Sequence, residues 1–466
     1  MVLAMNSQAA PVYPVGESMA INCSRRCRVS MTSSVCSLFS SNLLDKPTTI
    51  MPRITLHERV LSNGLRVIVC PDHGAPVVTV NVIYHVGSYD ERANKTGLAH
   101  LFEHLMFDNT STGMEKQYDS YCTKAGGTNN AYTTYDHTTY YINLPAHQLD
   151  LGLWLEAERM RMFAITDHAL QTQRSVVIEE IKQNVENQPY AKWQFALDRT
   201  AYKLPSSYAW NVYGTTEHVA SVTLEDAKDF YQRFYQPSNA VLVIAGDVDV
   251  ENAFAKAEAH FGPITGSTIP TIRNEFDPAH RQFGSHTIEP DEVPVPAVFL
   301  ATHLPPLNTD EMYDADLAAS FLGSGHSSTL YRDLVAGSRI ASHAGAFIDR
   351  RAHSSLLITY AYATQPDITA DQLTEALGAS LKEARVTRDV FTKVVNRQKT
   401  AIAAEFQRTS GVADSVGYHA TFYGDPSEVN GLLDKYGSRT QESIQSVVDA
   451  VADITRAARI DIVQLA

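Results

Sequence analysis

The chain has 466 residues, 44% of them hydrophobic and 19% charged, with a formal net charge of −14. That balance excludes a disordered or fibrous chain and leaves room for more than one core. The acidic surplus argues against non-specific nucleic-acid binding, which needs a basic footprint, and no run approaches the roughly 20 apolar residues that span a bilayer.

Residues 1–53 differ from the rest. They are rich in Ser and Met, carry Arg25, Arg26 and Arg28, and hold few acids. They read as a tail: disordered, a targeting segment, or an over-long start with Met51 as the true beginning. Three of the five cysteines, Cys23, Cys27 and Cys36, fall there, with Cys70 and Cys122 beyond. Their odd number and spacing fit neither a disulfide framework nor a zinc motif. A bacterial cytoplasmic or periplasmic location is expected rather than an organelle.

Organised sequence begins near Ile54. Residues 60–69 read as two strand pieces around an Asn63-Gly64 turn, and 77–86 as a β-branched strand. Residues 98–107 are apolar at helical spacing. Residues 126–144, rich in Thr and Tyr after Gly126-Gly127, read as paired strands. Helices are predicted at 149–163, 170–185 and 224–235, and a short buried strand at 240–245. After a Pro-, Gly- and Thr-containing linker at 266–292 a second round follows. It has strands at 297–303, 354–362 and 460–463, and helices at 312–322, 370–383, 388–408 and 443–451, with another starting at 330–335. The order of strand, helix, strands, helices, strand thus occurs twice. The predicted fold class is α+β, with two homologous halves at 54–265 and 293–466.

The chemistry centres on His100-Leu101-Phe102-Glu103-His104. On a helix, positions i and i+4 share one face, so His100 and His104 can hold one metal ion. Glu103 stands beside them, able to approach the ion without binding it. A catalytic zinc takes three protein ligands and keeps one position for water, whose proton a carboxylate accepts. Leu98, Leu101, Leu105, Met106 and Phe107 make this helix strongly apolar. Two histidines and a glutamate buried in it are costly unless compensated, and a metal is the simplest compensation.

The predicted helix 170–185 offers the third ligand. Leu170, Val177, Ile178, Ile181 and Val185 form its apolar stripe. At about 100° per residue, Glu179 and Glu186 fall on the solvated side with Ser175 and Lys182, and Glu180 falls at the stripe's edge. Glu180 is therefore the carboxylate placed to look inward, against the alternative of a simple surface glutamate.

These residues carry a specific resemblance. His100-x-x-Glu103-His104 with Glu180 in Val176-Val177-Ile178-Glu179-Glu180-Ile181 resembles the pitrilysin or insulinase family of zinc metallopeptidases. Within it, the chain is most similar to the group of the mitochondrial processing peptidases and their bacterial relatives, and to the zinc-bearing subunit of a bacterial heterodimer. Leu61-Ser62-Asn63-Gly64-Leu65, Gly126-Gly127-Thr128-Asn129-Asn130-Ala131 and Phe234-Tyr235-Gln236-Pro237-Ser238-Asn239-Ala240 add to the likeness, which runs from about Leu61 to the C-terminus.

The resemblance implies one Zn2+ on His100, His104 and Glu180, with Glu103 as general base. It implies two α/β-sandwich domains of mainly antiparallel sheets flanked by helices, forming half of a clamshell. The substrate peptide would add to an edge strand at Asn130, Ala131 and Tyr132, a mode that reads extended backbone.

Two departures stand out. Gln173 occupies a supporting position where the family often has a glutamate; its amide can hydrogen-bond but cannot share a proton. The second half of family members usually brings an Arg and a Tyr to the substrate carbonyl. Aligned on Leu330-Tyr331, those positions here hold Val335 and Ser342, while Arg332 and Arg339 are nearby but off register. Loss of such donors costs about 10²–10³ in rate. The expectation is therefore a divided site, with a homologous partner subunit supplying Arg and Tyr for cleavage of short or unfolded peptides. The rivals are a self-sufficient homodimer recruiting Arg332 or Arg339, and a non-catalytic scaffold like the respiratory-complex core proteins. Partner dependence separates the first, and metal content the second.

Overall fold

The computed structural model describes residues 53–108, 117–161, 164–266, 271 and 273–465. The tail reading therefore lies, up to residue 52, outside the described residues.

The first sheet is built from β1 (His57–Val60), β2 (Arg66–Pro71), β3 (Val77–Tyr84), β4 (Thr128–Thr133), β5 (Thr138–Pro145) and β6 (Ala240–Gly246), in the order β1-β2-β6-β3-β5-β4. The second is built from β7 (His286–Asp291), β8 (Ala297–His303), β9 (Ala341–Asp349), β10 (Leu356–Ala363) and β11 (Ala458–Gln464), in the order β7-β11-β8-β10-β9. Set aside β1 and the two patterns coincide. In each, the first strand pairs in parallel with the last. The last then runs antiparallel to the second, and a hairpin completes the edge. The predicted repeat and the α+β class are what the structure contains. β4 and β9 are the equivalent outer edges. β7 forms inside the stretch read as linker, where Pro290 sits on an edge strand that tolerates it.

Among the described residues the helices are α1 (Leu98–Asp108), α2 (Tyr118–Lys124), α3 (Leu149–Arg161), α4 (Asp167–Ile181), α5 (Trp193–Ala201), α6 (Thr216–Ala220), α7 (Leu224–Phe234) and α8 (Val250–Phe261). The second round holds α9 (Glu311–Gly323), α10 (Ala370–Glu383), α11 (Arg388–Glu405), α12 (Thr409–Phe422), α13 (Leu432–Gly437) and α14 (Gln441–Ala452). Thr side chains cap α4, α7, α10, α11 and α14, accepting from the third residue of each helix. The helix predicted to start at 330 is a π-helical turn, Tyr331–Gly337.

Period-two alternation along β2 sorts its side chains to two cores. Val67 and Val69 join α1, α3 and α8 on one face of the first sheet. Ile68 and Cys70 meet Ala413, Val416 and Ala420 of α12 on the other. So a helix from late in the chain covers the first sheet. In return α5, from early in the chain, covers the second: Ala196, Leu197 and Ala201 pack with Phe299, Ile358 and Ile460. The sequence pattern does not mark α12, because Gly411, Gly417 and four Ser or Thr residues give it poor helix propensity. Packing overrides that: a Cβ on Gly417 would lie 2.5 Å from Cδ1 of Ile83, so only glycine lets the helix sit so close to the sheet.

A buried ion pair joins the two exchanged layers. Arg351, after β9, donates to Asp198 of α5 at 2.5 Å and to the Tyr208 carbonyl at 3.0 Å, and both charged side chains are buried. The Arg351 guanidinium lies 3.9 Å from the Tyr135 ring centroid.

Candidate metal centre

Two glycines decide where α1 starts. Gly97 and Gly214 both have left-handed backbones, at φ 83° and 66°. A Cβ on Gly97 would stand 2.4 Å from the Tyr213 carbonyl oxygen, and one on Gly214 would stand 2.3 Å from the Gly97 nitrogen. The loop before α6 is thus pressed backbone to backbone against the start of α1, a contact that only glycine permits. Buried Glu91 then satisfies the exposed amides of this helix end. Its carboxylate accepts from Gly97 N at 3.0 Å, from Ala99 N at 2.7 Å and from Trp210 Nε1 at 3.1 Å. Burial raises the Glu91 carboxyl well above its usual range, against the bonds from Ala99 and Gly97 that favour its charged form.

α1 is buried along nearly its whole length, including His100, Glu103 and His104. The two imidazoles stand edge to face, with centroids 4.9 Å apart. α4 packs against α1 and brings Glu180 to them: its Oε2 is 3.3 Å from His104 Nε2 and 3.9 Å from His100 Nε2. One donor atom from each of His100, His104 and Glu180 lies within 4.8 Å of the others, and this is the one such cluster among the described residues. Two ligands of a tetrahedral zinc, each about 2.0–2.2 Å from it, are roughly 3.4 Å apart. The two imidazole nitrogens and the carboxylate oxygen therefore fit such an ion in donor type, number and spacing.

The electrostatics agree with that fit. Burial, then the neighbouring His104, pull His100 down to about 3 against the pull of Glu180, so its ring is neutral and its Nε2 lone pair free to bind. Glu180 titrates below the usual carboxylate range: burial pushes it up, but the His104 hydrogen bond and the two adjacent imidazoles outweigh that. Glu103 is raised, chiefly by burial, and the bond from Thr133 Oγ1 at 2.6 Å opposes the rise.

The other expected residues take these places. Asn130, Ala131 and Tyr132 lie on β4, which pairs with β5 alone and ends the sheet. Ala131 N is bonded to Asn130 Oδ1 at 3.0 Å, and Tyr132 Oη donates to Asp414 of α12 at 2.5 Å. Gln173 Nε2 donates to Asp108 Oδ2 at 2.6 Å, tying α4 to the far end of α1. Val335 lies in the π-helical turn, and Ser342 Oγ donates to the Ala363 carbonyl at 3.0 Å. Arg332 is exposed and bonded to its neighbour Asp333, and Arg339 has a left-handed backbone at φ 58°.

Sequence reading passed over Glu91, Asn184 and Tyr213. The Tyr213 ring stands edge to face with His100 at 5.1 Å and parallel to Phe195 at 6.4 Å. Its hydroxyl accepts from Asn184 Nδ2 at 3.4 Å, and the same amide reaches Glu180 Oε1 at 3.5 Å. Burial, then the charges of Glu180 and Glu103, push the phenol up to about 12 despite the Asn184 bond. The only local signal was the adjacent Gly214.

The description "Insulinase (Peptidase family M16)" matches residues 66–208, and "Peptidase M16 inactive domain" matches residues 221–401. The zinc protease PqqE of Helicobacter pylori is 30% identical over 364 residues, 77% of this chain and 82% of that protein. A crystal structure of a protease from Helicobacter pylori superposes with a TM-score of 0.81 at 25% identity, covering 88% of this chain and 99% of that one. The first half of the periplasmic protease PqqL from Escherichia coli shares the fold, with a TM-score of 0.69 at 19% identity over 88% of this chain and 92% of that one. No described helix is long and apolar enough to cross a membrane.

Proposed function

The chain belongs to peptidase family M16, the insulinase family, and on that footing we propose that it is the metal-bearing subunit of a zinc-dependent endopeptidase. The observation that carries this reading is the meeting of His100, His104 and Glu180 within 4.8 Å beside a buried, hydrogen-bonded Glu103. The likeness to the zinc protease PqqE of Helicobacter pylori supports the choice of ion.

His100 and His104 would each give a nitrogen and Glu180 an oxygen, leaving a fourth position for water. Bound there, zinc supplies acidity to that water and polarisation to a peptide carbonyl. Glu103 takes the proton as the water oxygen adds to the carbonyl carbon, then hands it to the departing amine nitrogen. Thr133 keeps the Glu103 carboxylate aimed while it does so. The substrate would lie along β4 at Asn130, Ala131 and Tyr132, held by main-chain hydrogen bonds, which suits short or unfolded peptides. Gln173 holds α4 and α1 together rather than moving a proton.

The Val335 and Ser342 side chains offer no guanidinium or phenol. A homologous subunit of the processing-peptidase type would bring them, the two subunits closing around the peptide. In this reading residues 54–265 form the metal-bearing domain and 293–466 its partner domain, joined through 266–292, in a bacterial cytoplasm or periplasm.

Elemental analysis of the purified chain tests the metal, with one zinc expected. Glu103→Gln should keep that zinc and lose at least about 10³ in kcat on an unstructured peptide. Unaltered cleavage by this variant would remove the assigned base. High turnover by the chain alone would contradict the need for a partner.

A further inference from the structure

Resting on the peptidase reading above, we infer that Tyr213, steered by Asn184, supplies within this chain a hydrogen-bond donor to the oxygen of the reacting carbonyl. The position is built rather than incidental. The backbone contact between Gly97 and Gly214 fixes the loop on the start of α1. The ring is then held between the edge of His100 and the face of Phe195, at 5.1 and 6.4 Å. Its hydroxyl is bridged to Glu180 by the Asn184 amide, 3.4 Å from the phenol oxygen and 3.5 Å from Glu180 Oε1.

The chemistry of the surroundings selects a donor. Asn184 presents its amide N–H to the phenol oxygen, which leaves the Tyr213 O–H as the donor of that hydroxyl. A tyrosine keeps that proton at neutral pH, with an ordinary pKa near 10. As the water oxygen bonds to the carbonyl carbon, the C=O π pair moves onto the carbonyl oxygen. Tyr213 donates to that developing anion without giving up its proton, and the bond is stronger in the transition state than to the resting peptide. This would replace one of the two donors whose positions are held by Val335 and Ser342, and would leave only a guanidinium to come from the partner.

Tyr213→Phe keeps the ring contacts and removes only the hydroxyl. The zinc-loaded protein, with any subunit that co-purifies, is titrated calorimetrically with a phosphinic peptide, whose tetrahedral phosphorus and anionic oxygen mimic the addition geometry. The corresponding extended peptide is titrated into the Glu103→Gln background. The variant should hold stoichiometric zinc and bind the extended peptide as the parent does. It should bind the phosphinic peptide about 10²-fold more weakly. Asn184→Ala, on an exposed side chain, should give a several-fold loss in the same direction. Equal phosphinic affinity with and without the hydroxyl, or equal loss for both ligands, would overturn the assignment while leaving the peptidase reading intact. A parent protein that holds no zinc would overturn both.

Discussion

Thr133 Oγ1 donates to Glu103 Oε2 at 2.6 Å, so the last residue of the edge strand β4 is bonded to the carboxylate assigned as base. The strand proposed to hold the substrate and the group proposed to activate water are therefore directly bonded. A bond to the ionised form favours that form and holds the Glu103 pKa below where burial alone would put it. Thr133→Val keeps the shape and removes the donor. Because the ionised form is the working one, the acid limb of the kcat/KM–pH profile should move upward by about one unit. Thr133→Ser should leave it in place. A kcat/KM–pH profile of the three proteins measures this.

Glu91 lies outside the candidate metal cluster, but it caps the helix that carries three of the four proposed functional residues. Glu91→Ala would leave the N–H groups of Gly97 and Ala99 without their acceptor in a buried setting, while Trp210 Nε1 would keep only the Ser88 carbonyl. A loss of about 2–4 kcal/mol is expected in denaturant unfolding, with faster release of zinc to a chelator. Glu91→Gln, which retains an acceptor oxygen, should lose less than half as much.

Much of this centre was legible in the chain because it obeys short-range rules. His100 and His104 share a helix face by their spacing, and Glu180 stands out at the edge of an apolar stripe, so three residues announced themselves by periodicity. Glu91, Thr133, Asn184 and Tyr213 reach the site through loops and strand ends whose geometry depends on tertiary contacts, above all Gly97 against Gly214. Nothing periodic marks them. The same holds for the fold. Strands such as β3 and β6, rich in Val and Ile, read directly. β9 (sequence Ala-Ser-His-Ala-Gly-Ala-Phe-Ile-Asp) and the glycine-bearing α12 owe their form to what they pack against.

Tyr132 and Asp414 give the edge strand a pH-dependent tether. Burial raises the Asp414 carboxyl to about 6, against the Tyr132 hydrogen bond that lowers it. A carboxyl raised on folding binds its proton more tightly in the native state. Its stabilising contribution is complete below the unfolded value near 3.9 and fades as pH rises through about 6. Asp414→Asn should therefore flatten the stability profile between about pH 4 and 6. The change should be of order 1–2 kcal/mol, because the residue is only half-buried and solvent damps the effect. Unfolding midpoints of parent and variant across that window check it.

Arg351 and Asp198 bind the second sheet to the helix that the first half lends it. Both charges are buried, and the guanidinium also serves Asp349 at 2.7 Å and the Tyr208 carbonyl at 3.0 Å. Removing Arg351 leaves Asp198 desolvated with only the neutral donors Tyr135 Oη and Asn211 Nδ2, so Arg351→Met should cost about 3–5 kcal/mol by denaturant unfolding. The aromatic frame of Tyr135, Tyr202 and Tyr208 around the guanidinium would remain. Replacing both partners, Arg351→Met with Asp198→Leu, should recover part of that loss, because the buried Asp198 charge is then gone and only the partly exposed Asp349 loses its guanidinium. If the double variant were as unstable as the single one, the interface would depend on the charge pair itself rather than on the absence of an orphaned ion.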